Sequence, residues 1–201
     1  MLTSKGGFAY NHGNPYLLLY NAASCGGWAY VLYITLLITC MKNGSSQDVY
    51  QEVEIPLKLV QTAAVLEVLH SAVGLVRSPV AITAMQVASR LWILWGILAP
   101  VPGPTTGGGI VLGEVGGFRL QLGLVTLLVA WGISEVIRYG FFALKELLGY
   151  VPYFAMWLRY TGFIVLYPMG VASELTLAYL ALPTIKSSGS CSSGMTADLI
   201  S

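Results

Sequence analysis

The stretch LRYTGFIVLYPMGVASELTLAYLALP, Leu158–Pro183, decides how the chain reads. Its length and apolar content suit a helix that crosses a bilayer, which takes about 20 predominantly apolar residues. Yet it carries Arg159, Tyr167, Pro168, Gly170 and Glu174. A charge at the bilayer centre costs about 2.5 kcal/mol or more on insertion scales, so such residues face protein or water and mark a candidate site.

The rest of the chain agrees with a membrane setting. Of 201 residues, 56% are hydrophobic and only 9% charged, against about 25% charged in soluble domains. Mean hydropathy is +0.72. Ten basic and nine acidic residues leave a net charge of +1, too weak a field to recruit nucleic acid. Cys25, Cys40 and Cys191 are odd in number and far apart, which suggests free thiols rather than a disulfide or metal framework. The opening MLTSKGGFAYNHGNP is short, polar and broken by Gly and Pro, with no small-residue cleavage site closing the first apolar run. That run is expected to stay as an anchor.

Apolar length predicts an all-α, polytopic transmembrane helical bundle with five spans, at 16–40, 57–76, 79–101, 120–142 and 151–182. KNGSSQDVYQEVEIP, with Asp48, Glu52 and Glu54, reads as a watery loop, and Arg77–Pro79 as a tight hairpin. APVPGPTTGGGIVLGEVGGF reads as a flexible Pro/Gly-rich surface loop. LKELLGY suits a helix end at Gly149. One transmembrane domain over 1–183 is expected, followed by a Ser/Gly-rich tail at 184–201 with too little apolar surface to fold alone. Positive charge weakly favours the N-terminal side as cytoplasmic, with Arg138 and Arg159 breaking a tie.

Ionisable residues recur inside the spans: Glu67 and His70 three apart, Arg90, Glu135 and Arg138 three apart, Arg159 and Glu174. They can neutralise one another between helices or line a site. His70 reads as a hydrogen-bonded partner of Glu67, because the other histidine, His12, lies outside the spans. No metal site is expected.

Tyr167 and Glu174 are seven residues apart, about 700° of helical rotation, so one groove can hold both side chains. Their Cα atoms would stand about 10.5 Å apart along a straight helix. Pro168 removes a helical hydrogen bond and Gly170 permits close approach, so a kink that narrows the gap is expected. Spacing alone allows either proton-transfer chemistry or a structural anchor.

Five blocks carry a resemblance: YNAASCGGWAYVLY, PLKLVQTAAVLEVLHSAVGLVRSPV, SRLWILWGIL, WGISEVIRYGFFALKELLG and LRYTGFIVLYPMGVASELTLAYLALP. In this order they resemble the very-long-chain 3-hydroxyacyl-CoA dehydratases, also called protein-tyrosine-phosphatase-like A proteins, and most of all the plant PASTICCINO type. The resemblance implies a multi-pass endoplasmic reticulum membrane enzyme, a hydro-lyase. It would convert (3R)-3-hydroxyacyl-CoA to trans-2-enoyl-CoA in the third step of fatty-acid elongation, beside the condensing enzyme and reductases of an elongase complex. The family motif Tyr-Pro-x-Gly-x-x-x-Glu falls on Tyr167 and Glu174, implying that these are the catalytic pair.

The implied chemistry needs one base at C2, alpha to the thioester, and one acid at the C3 hydroxyl, without cofactor or metal. Glu174 is favoured as base and Tyr167 as acid; the reverse is also open. Arg138 and Arg159 can meet substrate charge, or pair with Glu135. The family has a sixth span, which the resemblance finds missing here, and the third loop is longer and richer in glycine than usual. A Cys-x5-Arg phosphatase site is excluded, because Val31, Ser46 and Ala197 stand six after the three cysteines. Two alternatives to the enzyme are a non-catalytic elongase scaffold and a small membrane transporter.

Overall fold

The computed structural model describes residues 13–42, 44–115 and 118–197, and the side chains of all these except 114, 115, 118–120 and 188–197. His12 and the polar N-terminal segment lie outside the described residues, as does the Cys191 side chain.

Helix α1, Pro15–Leu36, is started by Asn14, whose side chain accepts from the N–H groups of Tyr16 and Leu17. Pro15 takes the first helical position, where a missing N–H costs nothing. The helix continues through a π-helical turn to Met41. Helix α2, Ser46–Ala63, begins with a capping box: Ser45 Oγ accepts from Asp48 N–H and Asp48 accepts from Ser45 N–H. Helix α3, Val65–Ala72, follows directly. Helix α4, Val80–Leu91, runs on as a π-helical segment to Leu98. A short α5, Pro102–Thr106, precedes antiparallel strands β1, Gly109–Val115, and β2, Phe118–Gly123. Helix α6 spans Leu124–Leu148 and α7 spans Tyr153–Ala197.

Side-chain contacts fix the direction of each pass. Asn14 N–H donates to Glu146 at the far end of α6, and Cys25 Sγ contacts Val136 O, so α1 and α6 are antiparallel. Tyr20 reaches Ala63 O and Tyr16 reaches His70, so α2 and α3 together run back along α1. Helix α3 packs on α4, while Trp95 Nε1 in the extension of α4 donates to Thr62 Oγ1 near the end of α2, so α4 and its extension run antiparallel to α2 and α3. Thr126 meets Ser173 near the start of α6, and Arg159 lies over Phe141 and Phe142 further along it, so α7 is antiparallel to α6. Four of the five predicted spans fall on helices of membrane-spanning length and apolarity, and the second, 57–76, falls instead across the end of α2 and the short α3. Four helices are long and apolar enough to cross a membrane: Pro15–Met41, Val80–Leu98, Leu124–Leu148 and Tyr153–Ser187. The second pass is the more polar one, divided at Ala64 between α2 and α3.

Three readings of the connections are corrected. Ser46–Pro56 is helix, not loop: Val49, Val53 and Leu57 recur every four residues and are fully buried, while the intervening acidic residues Glu52 and Glu54 lie outside the core. The glycine-rich third connection is ordered as α5 and a two-stranded hairpin, and α6 accordingly begins at Leu124, four residues later than Leu120. Helix α7 continues across Pro183 to Ala197, into the segment that reads as a tail. Gly149 ends α6 in the left-handed conformation, φ 73°, as the sequence predicts.

The core joins Trp28 and Val31 of α1, Leu57 of α2, Leu94 and Leu98 of the fourth-helix extension, Leu127 and Trp131 of α6, and Leu177 of α7. Close backbone approach matters where lipid gives no hydrophobic drive between helices. At Gly132 an added Cβ would sit 3.0 Å from Leu32 Cβ, so α6 lies tightly on α1. Leu19, Tyr30, Leu59, Met85, Ile164 and Leu175 are exposed, a surface suited to lipid and costly in water.

Candidate active site

A cavity of about 660 Å³ opens between α4, α6 and α7 and extends toward α1, α2 and α3. Its lining includes Gln61, Glu67, Arg90, Trp131, Glu135, Arg138, Arg159, Tyr167, Gly170 and Glu174. The intramembrane charges that the sequence scatters over four helices therefore meet in one place.

Most of them form an ordered ladder. Arg138 Nη1 and Nη2 donate to Glu67 Oε2 and Oε1 at 2.6 and 2.8 Å, while Arg138 Nε donates to Glu135 Oε2 at 2.8 Å. Arg90 pairs with the other Glu135 oxygen, and the Tyr139 hydroxyl donates to Glu67. Glu135, 3% exposed, is thus held between two guanidinium groups, as a buried carboxylate must be. Helix spacing explains the geometry: residues three apart on α6 share a face, so Glu135 and Arg138 both project toward α3 and α4.

One sequence reading changes here, and one left open between two arginines is decided. The His70 Nε2 atom pairs with the Tyr16 hydroxyl at 2.8 Å, with the Tyr20 ring edge-on at 4.9 Å, and Glu67 is engaged by Arg138 and Tyr139 instead. A guanidinium offers Glu67 two parallel bonds, which an imidazole cannot match. The pairing with Glu135 is made by Arg138 and not by Arg159. Arg159 makes no ion pair among the described residues; its guanidinium lies over Phe141 and Phe142, 4.5 and 4.8 Å from the ring centres.

Tyr167 and Glu174 line the same cavity. Tyr167 is 58% exposed and stacks on Phe163, with ring centres 4.8 Å apart and planes at 27°. Glu174 Oε1 accepts from Trp131 Nε1 at 2.9 Å. The helix between the two continues through Pro168. Sequence reasoning passed over Trp131, whose only signal is that a buried tryptophan N–H usually finds an acceptor. Gln61 is buried against the cavity, and its Oε1 has no partner among the described residues.

Fold and cavity together define a multi-pass helical membrane protein with a charge-lined cavity between α4, α6 and α7. The description "Protein tyrosine phosphatase-like protein, PTPLA" matches residues 61–200, and the chain belongs to that family. It is 49% identical over 173 residues to "Very-long-chain (3R)-3-hydroxyacyl-CoA dehydratase PASTICCINO 2" of Arabidopsis thaliana, covering 86% of this chain and 71% of that protein. The rice (Oryza sativa subsp. japonica) protein "Very-long-chain (3R)-3-hydroxyacyl-CoA dehydratase PASTICCINO 2A" is 45% identical, again over 86% of this chain and 71% of the relative. "Very-long-chain (3R)-3-hydroxyacyl-CoA dehydratase 2" of Homo sapiens is 38% identical over 87% of this chain and 62% of the relative. No solved structure matches the chain.

Proposed function

We propose that this chain is a very-long-chain (3R)-3-hydroxyacyl-CoA dehydratase that removes water to give trans-2-enoyl-CoA, with Tyr167 and Glu174 as its acid–base pair. The observation that carries the reading is that a phenol and a carboxylate from one helix line one cavity, in a family whose similar members are named for this reaction.

The reaction needs a proton taken from C2 and a proton given to the C3 oxygen as the C–O bond breaks. Glu174 is the base. Its Oε1 is occupied by the Trp131 N–H, while Oε2 makes no hydrogen bond among the described residues and is free to take the C2 proton. Tyr167, exposed and held flat against Phe163, gives its phenolic proton to the departing hydroxyl. The C2–H electron pair becomes the new double bond to C3, and water leaves with the Tyr167 proton. Proton exchange between the two groups then restores the starting state.

Arg138 is committed to Glu67 and Glu135, so its role is to hold the cavity wall. Among the described residues Arg159 has only aromatic partners, and it is suited to a phosphate of the CoA moiety. The substrate's chemistry places the step between a reductase that makes the 3-hydroxyl and one that saturates the enoyl product. An elongase assembly in the endoplasmic reticulum membrane is the setting that fits. The test is turnover: the chain purified in detergent or lipid should release trans-2-enoyl-CoA from 3-hydroxyacyl-CoA. Substrate flux into sealed liposomes without acyl-CoA chemistry would instead establish a transporter.

A further inference from the structure

Glu174 is held from a different helix. Trp131 of α6 donates its indole N–H to Glu174 Oε1 at 2.9 Å. The helices come close enough at Gly170, where an added Cβ would lie 3.8 Å from Ala130 Cβ and 4.0 Å from Trp131 Cδ1. Gly170 stands one helical turn before Glu174 and shares its face. The near approach at one therefore delivers the carboxylate of the other to the indole.

The indole itself cannot drift. Trp131 is 3% exposed and meets the Trp28 ring edge-on at 6.4 Å. The Arg90 guanidinium lies 5.3 Å from the centre of its ring, and Arg90 is anchored by Glu135. A cation over an indole face is attracted to it and draws electron density from the ring, which makes the N–H a stronger donor. The ion-pair ladder thus ends on the ring that holds Glu174.

We propose that Trp131 is the positioning residue of this site: its N–H fixes one Glu174 oxygen and so aims the other at the substrate's C2 proton, while Arg90 fixes the indole. This rests on Glu174 being the base. It assigns a purpose to the buried charges beyond neutralising one another, since a base misplaced by about 1 Å loses much of its effect.

Two variants separate the N–H from the ring. Trp131→Phe removes the donor and keeps an aromatic face under Arg90; benzothienylalanine at position 131 replaces only the N–H with sulfur and keeps the bicyclic shape. Each should lower kcat about tenfold or more, as for a lost hydrogen bond to a charged group, with KM within about twofold because no substrate contact is removed. The primary isotope effect from deuterium at C2 should rise, since proton removal alone is slowed. A purely structural tryptophan would lower the folded fraction and leave the isotope effect unchanged, and that result overturns the proposal, as does native kcat in the benzothienyl variant. Glu174→Gln in the same assay distinguishes the two levels. If it is inactive while both position-131 variants are native, only the positioning role falls; if it turns over normally, the assignment of the base falls and the proposal with it.

Discussion

The Arg138 guanidinium closes on the Glu67 carboxylate with two parallel hydrogen bonds, 2.6 and 2.8 Å long, joining α6 to α3 across 71 residues of sequence. Breaking such a partly buried pair leaves an uncompensated charge, at a cost of about 3 kcal/mol or more. Glu67→Ala should therefore lower the thermal midpoint and the folded yield in detergent while turnover per folded molecule changes little. A well-folded Glu67→Ala protein without dehydratase activity would put Glu67 in the chemistry itself.

Arg159 differs from its neighbours in having rings, not carboxylates, as partners. If it meets a CoA phosphate, Arg159→Gln removes binding that is equal in the ground and transition states. KM should rise about tenfold with kcat nearly constant. The check is a comparison with a pantetheine thioester lacking the nucleotide phosphates, for which the variant and native proteins should have the same KM. An equal rise for both substrates would remove Arg159 from phosphate recognition.

The turn before α2 makes stability pH-dependent in a defined direction. Hydrogen bonds from the Ser45 side chain and then the Ser45 backbone hold the Asp48 carboxyl below its ordinary value of 3.8. A depressed folded pKa stabilises the fold above the unfolded value, and that contribution is lost as pH falls through the folded one. Ser45→Ala should thus flatten the fall in thermal midpoint below about pH 4. An unchanged acid limb would mean the cap adds nothing in solution.

The apolar runs of α1, α4, α6 and α7 were legible because lipid demands length and hydrophobicity together. Helix α2 was not, because Asp48, Glu52 and Glu54 mimic a loop unless the Val49–Val53–Leu57 stripe on the opposite face is read with them. The β1–β2 hairpin was hidden in a run whose glycines also suit a flexible loop. At the site, the three-residue spacings announced Glu67, Glu135 and Arg138 but not their partners, since pairing between helices follows from packing. That is why spacing pairs His70 with Glu67 although the fold brings it to Tyr16, and why nothing in the sequence marks Trp131.

The alternating passes make a topological prediction. The turn after α1 and the turn after α3 lie at opposite ends of the bundle, since Tyr16 at the start of α1 meets His70 at the end of α3. In a background without other cysteines, exposed Cys40 and an introduced Ser78→Cys should react with an impermeant maleimide from opposite faces of sealed microsomes. Labelling of both from one face would show that α2 and α3 do not cross.

The central claim is that Tyr167 and Glu174 perform the dehydration. Tyr167→Phe keeps the ring that stacks on Phe163, and Glu174→Gln keeps an oxygen for the Trp131 N–H, so both should fold. Each should slow release of trans-2-enoyl-CoA about 100-fold or more, and the double variant should be little worse than the worse single one, because groups acting as a unit are not additive. The most direct measurement is the single-turnover rate of well-folded Glu174→Gln with 3-hydroxyacyl-CoA: a loss of about two orders of magnitude is expected, and a rate near that of the native protein would contradict the account.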